Sequence, residues 1–123
     1  MKYKENDYIR TKDGIIDKVI IDYNGHCNSP NCNCKHVSCK YNYYDEDTII
    51  KSSPNIIDLI EVGDYVNGYL VTLIEPDAYN KKMVFVGQRL IEESGFYRTY
   101  YDEDIKSIVT KEQFKSMEYN VGD

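Results

Sequence analysis

The sequence predicts a mainly β protein with short helical turns, organised as two tandem small modules. Three observations carry that expectation. Short β-branched and aromatic runs are separated by turn residues along most of the chain. A frame recurs at an offset of 57 residues, from Tyr43 to Tyr100. One polar segment, dense in cysteine, stands outside that frame.

The first module starts with a hairpin. Asp7-Tyr-Ile-Arg-Thr-Lys12 reads as a strand, Asp13-Gly14 is turn chemistry, and Ile15 to Tyr23 is β-branched and apolar. Asn24-Gly25 breaks the strand and opens the cysteine segment, a Cys/His loop placed at residues 24–40. Strand character resumes at Lys40-Tyr-Asn-Tyr-Tyr44, turns at Asp45-Glu46 and returns over Thr48-Ile-Ile-Lys51. Ser52-Ser-Pro-Asn55 ends it, and Ile56 to Ile60 reads as one helical turn, since proline is tolerated in a first turn.

The order then repeats. Gly63 to Asn67, Gly68 and Tyr69 to Ile74 echo the first hairpin, Pro76-Asp77 turns the chain, and Lys82 to Val86 is a strand. Gly87 to Gly95 is a looser connection, after which Phe96 to Tyr101 is expected to pair with Ile105 to Val109. Thr110 caps a closing helix that runs to Glu118, with Phe114 and Met117 on one face. Tyr43-Tyr-Asp-Glu-Asp47 recurs unchanged as Tyr100-Tyr-Asp-Glu-Asp104, and Asp7-Tyr8 maps onto Asp64-Tyr65 at the same offset. With small gaps, Ile50-Lys-Ser52 matches Ile105-Lys-Ser107 and Val62-Gly-Asp64 matches Val121-Gly-Asp123. Four or five strands and a helical turn per copy outline a barrel of the Src-homology-three type, with modules at 1–61 and 62–123. The cysteine segment is then an insertion specific to the first copy.

All four cysteines and both histidines lie within His26 to Cys39, spaced C-x4-C-x-C-x4-C at Cys27, Cys32, Cys34 and Cys39. The residues between them are too polar to build a core. A structural zinc held by the four thiolates in a tetrahedron is the expected organiser, with His26 and His36 as alternative ligands. Disulfides and free thiols are the other two readings. The pair Cys34 and His36 resembles a thiol nucleophile and its base, but a ligand role explains it with fewer assumptions. Two histidines, both in this loop, leave no serine, histidine and carboxylate set to assemble, so the chain reads as non-enzymatic.

Charge narrows the partners. Twenty-one carboxylates against fifteen basic residues give a net charge of -6 and a pI near 4.9. Phosphate backbones are gripped by lysine and arginine, so direct nucleic-acid binding is disfavoured; a basic host protein, or a ribonucleoprotein effector, fits instead. A zinc-dependent nucleic-acid-binding module is the alternative, since small barrels and zinc knuckles both serve that role. Thirteen tyrosines, three phenylalanines and no tryptophan put the apolar bulk on rings with a polar tip, suited to half-buried sheet faces and interfaces. The two tyrosine–carboxylate strings, Tyr43, Tyr44, Asp45, Glu46, Asp47 and Tyr100, Tyr101, Asp102, Glu103, Asp104, are candidate partner-binding patches; as strand ends and turns they need no partner. No apolar run is long enough to span a bilayer and the first residues lack a signal-peptide core, so a cytoplasmic protein is expected.

The wording from Asn55 onward, Ile56-Ile-Asp-Leu-Ile-Glu-Val-Gly-Asp-Tyr-Val-Asn-Gly68 and Glu103-Asp-Ile-Lys-Ser-Ile-Val-Thr-Lys-Glu-Gln-Phe114, resembles small accessory proteins of phages and prophages of low-GC Gram-positive bacteria. That resemblance implies a genetic context, the one that includes anti-CRISPR and other anti-defence inhibitors, and it carries no site residue. The cysteine segment lies outside it.

Overall fold

The computed structural model describes residues 2–25, 35–86 and 98–116. The chain divides into two compact units, Met1–Leu59 and Ile60–Asp123. Among the described residues it is mainly β, with antiparallel pairing throughout and one short helix.

In the first unit, β1 (Tyr8–Thr11) is central, pairing with β2 (Ile16–Lys18) on one side and β5 (Ile49–Ser53) on the other. Gly14 makes the β1–β2 turn possible: its φ of 82° is one that side chains rarely adopt. β3 (His36–Ser38) and β4 (Tyr43–Asp45) form a ribbon that joins this sheet through a bridge between Val19 and Cys39. The Ile20 N–H donates to the Ser38 carbonyl at 3.0 Å and the Lys40 N–H to the Lys18 carbonyl at 2.9 Å, so β3 lies beside the end of β2. The strand order is therefore β5-β1-β2-β3-β4, followed by a 3₁₀ turn at Ile56–Leu59. Alternation sends Ile9, Val19, Val37 and Cys39 inward with Tyr23, and Tyr3, Tyr44 and Ile49 pack around them.

A core this small is marginal by burial alone, and side-chain hydrogen bonds supplement it. The Tyr44 hydroxyl donates to Asp17 and the Tyr23 hydroxyl to Glu46, each at 3.0 Å. The fully buried Arg10 donates to the Leu59 carbonyl at 2.9 Å and ties β1 to the closing turn.

In the second unit, β6 (Tyr65–Val66) and β7 (Tyr69–Pro76) are joined by Asn67-Gly68, both at positive φ as a two-residue hairpin turn requires. β8 (Lys82–Val86) and β9 (Arg98–Tyr100) follow. After a 3₁₀ turn at Asp102–Asp104, β10 (Ile108–Val109) returns to pair with β6. The order is β10-β6-β7-β8-β9, the first unit's order over again. α1 (Lys111–Ser116) closes the unit. Its cap is reciprocal: the Gln113 N–H donates to Thr110 Oγ1 at 3.3 Å, and the Thr110 N–H donates to Gln113 Oε1 at 3.1 Å. Thr110 caps the helix as the sequence predicts. Phe114 stacks on Tyr65 with ring centroids 4.9 Å apart, while Met117 lies outside the described residues.

Two expectations are corrected. β9 does not pair with the segment ending at Val109: it pairs with β8, and β10 pairs with β6. The 3₁₀ turn between them redirects the chain, and Asn67 fixes the new course by accepting from Lys106 N at 2.8 Å and Ser107 N at 3.1 Å while donating to the Asp104 carbonyl at 2.9 Å. The Cys/His loop expected at 24–40 does not extend to its predicted end. His36–Ser38 is a strand, because Val37 between two polar neighbours has the period of a half-buried strand, and Val37 and Cys39 enter the core.

The repeat is real in topology and out of phase in wording. Asp7 and Asp64 do the same work at the 57-residue offset. Each accepts from the N–H three residues earlier (Lys4 at 3.0 Å, Glu61 at 2.8 Å) and follows a residue at positive φ, Asn6 or Gly63. The 3₁₀ turns at Glu46–Thr48 and Asp102–Asp104 instead correspond at 56. The two identical strings thus stand one residue apart in their strands: Tyr44 faces the buried Val37, and Tyr100 faces the buried Val84. A one-residue slip in a strand exchanges its faces. Neither sheet closes on itself among the described residues, and no helix among them is long and apolar enough to cross a membrane. The match proposed for Val121-Gly-Asp123 and the connection at 87–95 lie outside the described residues.

Candidate functional site

Of the candidate metal ligands, His26, Cys27, Cys32 and Cys34 lie outside the described residues. Cys39 and His36 are described, and they face opposite ways. Cys39 is buried with Val19 and Val37, and burial, assisted by the Asp17 carboxylate, pushes its thiol up to about 12. There it is a protonated, apolar packing group. His36, three residues away, is on the other face of β3, its ring 4.9 Å from that of Tyr43. Among the described residues no group of three or more His, Cys, Asp or Glu is placed to hold a metal ion.

The tyrosine–carboxylate strings are mostly committed to their own units. Tyr44 bonds Asp17. Glu46 forms an ion pair with Lys2, accepts from the Tyr23 hydroxyl, and donates its N–H to the Lys35 carbonyl at 2.7 Å. That carboxyl is held below its ordinary range, chiefly by the hydrogen bond from Lys2. Asp45 caps the 3₁₀ turn by accepting from Asp47 N at 3.3 Å. In the second unit, Tyr101 donates to Asp77 at 3.0 Å, Asp104 accepts from Tyr101 N at 3.1 Å, and Glu103 pairs with Lys81 at 3.1 Å. Tyr100 is turned toward buried Val84, and Asp102 opens the 3₁₀ turn. The strings are turns and strand ends first. Tyr43 is the exposed ring of the two strings, the residue being 62% exposed.

Tyr43 belongs to a surface that extends beyond either string. On β3 and β4, Ser38 is opposite Tyr43 and His36 is opposite Asp45, while the Ile20 N–H meets the Ser38 carbonyl. Ile20, Ser38 and Tyr43 therefore form a row on the outer face of the sheet, with His36 and Asp45 alongside. Ile20 is 47% exposed, and Tyr41, in the β3–β4 turn, is 78% exposed with Lys40 Nζ 5.1 Å from its ring centroid. The sequence carries a sign of this surface. Val19-Ile20-Ile21 is apolar at consecutive positions, so at least one member must leave the core face of a strand. Chemically the surface offers aromatic and aliphatic area beside the Asp45 carboxylate, suited to recognition.

Comparison of the chain with protein-family models, with curated proteins and with solved structures finds no match.

Proposed function

We propose that the chain is a non-enzymatic binding protein: two tandem Src-homology-three-like β-modules, the first with a zinc-ordered cysteine insertion, that grip a basic protein or ribonucleoprotein. In its sharpest form it is a phage or prophage inhibitor of a bacterial defence effector, of the anti-CRISPR kind, acting in the host cytoplasm. The module reading is supported by the strand order, first strand between second and fifth and a 3₁₀ turn before the last, present in both units. The anti-defence reading rests on the wording of residues 56–114 and on the acidic charge.

The observation that carries the binding reading is the outer row Ile20–Ser38–Tyr43. Exposed aliphatic and aromatic area on one sheet face, with Asp45 beside it, is the composition of a contact surface. For zinc, the ligand set that leaves the first unit's core undisturbed is Cys27, Cys32, Cys34 and His26, because Cys39 packs with Val37 and His36 faces away from it. Bound there, the ion supplies folding free energy to a polar segment and no chemistry.

Two measurements test these statements. Tagged full-length protein is used to capture partners from a lysate of a low-GC Gram-positive bacterium, beside an Ile20→Ser/Tyr43→Ser variant. A protein or ribonucleoprotein retained by the first and lost by the second is expected; nucleic acid recovered without protein removes the reading. Native mass spectrometry of protein purified without added metal is expected to show one zinc per chain, kept in Cys39→Ala. Metal-free protein with four titratable thiols ends the zinc proposal.

A further inference from the structure

Asparagine followed by glycine occurs at Asn24-Gly25 in the first unit and at Asn67-Gly68 in the second. The pair is chemically labile. Glycine has no Cβ to shield its backbone nitrogen, and the carboxamide carbon of the preceding asparagine can reach that nitrogen by closing a five-membered ring, so the attack is intramolecular. The two pairs are identical in composition and opposite in surroundings.

Asn67 is held at both polar atoms of its amide. Nδ2 donates to the Asp104 carbonyl at 2.9 Å, and Oδ1 accepts from Lys106 N at 2.8 Å and Ser107 N at 3.1 Å. Its own N–H donates to the Ser107 carbonyl at 2.9 Å, and its φ of 53° belongs to the hairpin turn. Bringing Cγ onto Gly68 N therefore means leaving three partners first. Asn24 has no such ties. It is exposed, and among the described residues nothing hydrogen-bonds to its amide or takes the Gly25 N–H. The chain is fixed as far as the buried Tyr23, which donates to the Tyr3 carbonyl at 2.8 Å and accepts from Tyr3 N at 3.1 Å. Asn24 is the next residue. Gly25 has a φ of 117°, and a Cβ added there would meet no described atom within 4 Å, so the backbone at this point is uncrowded.

We infer that Asn24-Gly25 is a site of spontaneous deamidation and that the fold protects Asn67-Gly68 from the same reaction. The Gly25 nitrogen bonds to Asn24 Cγ as the Cγ–Nδ2 bond breaks, and ammonia leaves with the proton that the nitrogen gives up. Water then opens the cyclic imide. Cleavage of the new bond leaves aspartate; cleavage of the original peptide bond leaves isoaspartate, with the main chain running through Cβ and Cγ. Either product adds a carboxylate close to the exposed Asp22, and isoaspartate also lengthens the chain by one backbone atom between Tyr23 and the cysteine segment. Neither the zinc nor the binding reading is needed for this chemistry. Each hydrogen bond that must be released slows ring closure about fivefold, so three should slow Asn67 by about a hundredfold relative to Asn24.

The test keeps full-length protein in water enriched in heavy oxygen at mildly alkaline pH, once folded and once in urea. Mass spectrometry follows the peptides that span the two pairs, and electron-transfer fragmentation separates isoaspartate from aspartate. In the folded protein, label and isoaspartate are expected at Asn24 about a hundredfold faster than at Asn67. Urea should bring the two rates together, since it releases the bonds that hold Asn67. Asn24→Gln must close a larger ring and should stay unlabelled, with circular dichroism checking that the fold is kept. Equal rates in the folded protein, faster conversion at Asn67, or a folded Asn24 that stays intact while the urea-treated chain converts would each overturn the inference. So would a difference that persists in urea, because flanking sequence and not the fold would then set it.

Discussion

Replacing Asp64 by alanine should destabilise the second unit far more than replacing Asp7 by alanine destabilises the first, although the two aspartates occupy equivalent turns. Asp64 is fully buried; its Oδ2 accepts from Glu61 N at 2.8 Å and its Oδ1 from Lys111 N at 2.9 Å. One carboxylate thus joins the entry of β6 to the first turn of α1, where unpaired N–H groups favour a negative charge. Asp7 accepts from Lys4 N alone among the bonds of this turn, at 3.0 Å, in a part-exposed setting where water can replace it. A hydrogen bond to a charged group contributes about 1.5–3 kcal/mol when buried and less when exposed. The expected losses are therefore about 3 kcal/mol for Asp64→Ala and about 1 kcal/mol for Asp7→Ala. Asp64→Asn, which keeps one acceptor without charge, should fall between. Urea unfolding gives the totals, and native-state amide exchange at Val66 and Val71 against Ile9 and Val19 assigns each loss to its unit. Equal losses, or an Asp64→Ala effect read out at Ile9 and Val19, would refute the reasoning.

Three further outcomes follow from single side chains. Thr110→Ala removes half of the reciprocal cap of α1 and should cost about 1 kcal/mol in thermal unfolding, most of it restored by Thr110→Ser. Burial, with hydrogen bonds to Glu46 and Asp17, raises the Tyr23 and Tyr44 hydroxyls to about 12. Their stabilising effect is full below the ordinary phenol value of 10 and fades as the pH climbs toward 12. In the ultraviolet titration of the folded protein at pH 11, Tyr23→Phe and Tyr44→Phe should therefore each leave the phenolate absorbance almost unchanged. Glu46 has a lowered pKa, so what it contributes is present above the ordinary carboxyl value of 4.5 and is lost as the pH falls through its folded value. Glu46→Gln should flatten the acid limb of the stability–pH curve, and an unaltered limb would show that the Lys2 and Tyr23 contacts are not kept in solution.

The parts of the fold written in local chemistry were legible. Asp13-Gly14 and Asn67-Gly68 announce hairpins because few residues adopt positive φ, and Thr110 with Gln113 three residues on announces a cap. What the chain does between elements was less so. The return of β10 to β6 depends on Asn67 reaching residues some 40 positions away, which no window of sequence displays. β3 was hidden for a different reason. The cysteine spacing makes Cys39 read as a metal ligand, and that chemistry masks the plain alternation of Val37 and Cys39 with polar neighbours. The outer faces were the least legible. An exposed Leu73 is the product of a bulge in β7 after Val71, and a bulge appears only when two strands are laid side by side.

The identical strings Tyr43–Asp47 and Tyr100–Asp104 show what a repeated sequence does and does not fix. At the structural offset of 56, Tyr43 corresponds to Thr99; their cross-strand partners are Ser38 and Phe85, each on the strand one in from the edge. The ring on that row therefore sits on the edge strand β4 in the first unit and on β8, one strand in from the edge, in the second. Surface built by one arrangement cannot be reproduced by the other, since a ring on the edge strand leaves its neighbour open and a ring one strand in covers it. The two faces should consequently not bind alike. Leu73 lies opposite Phe85 on the second row. A partner captured through Ile20 and Tyr43 should therefore be lost in Ile20→Ser and kept in Leu73→Ser. Equal loss in both would show that the two rows act on a shared contact and that the strand carrying the ring is not what selects the partner.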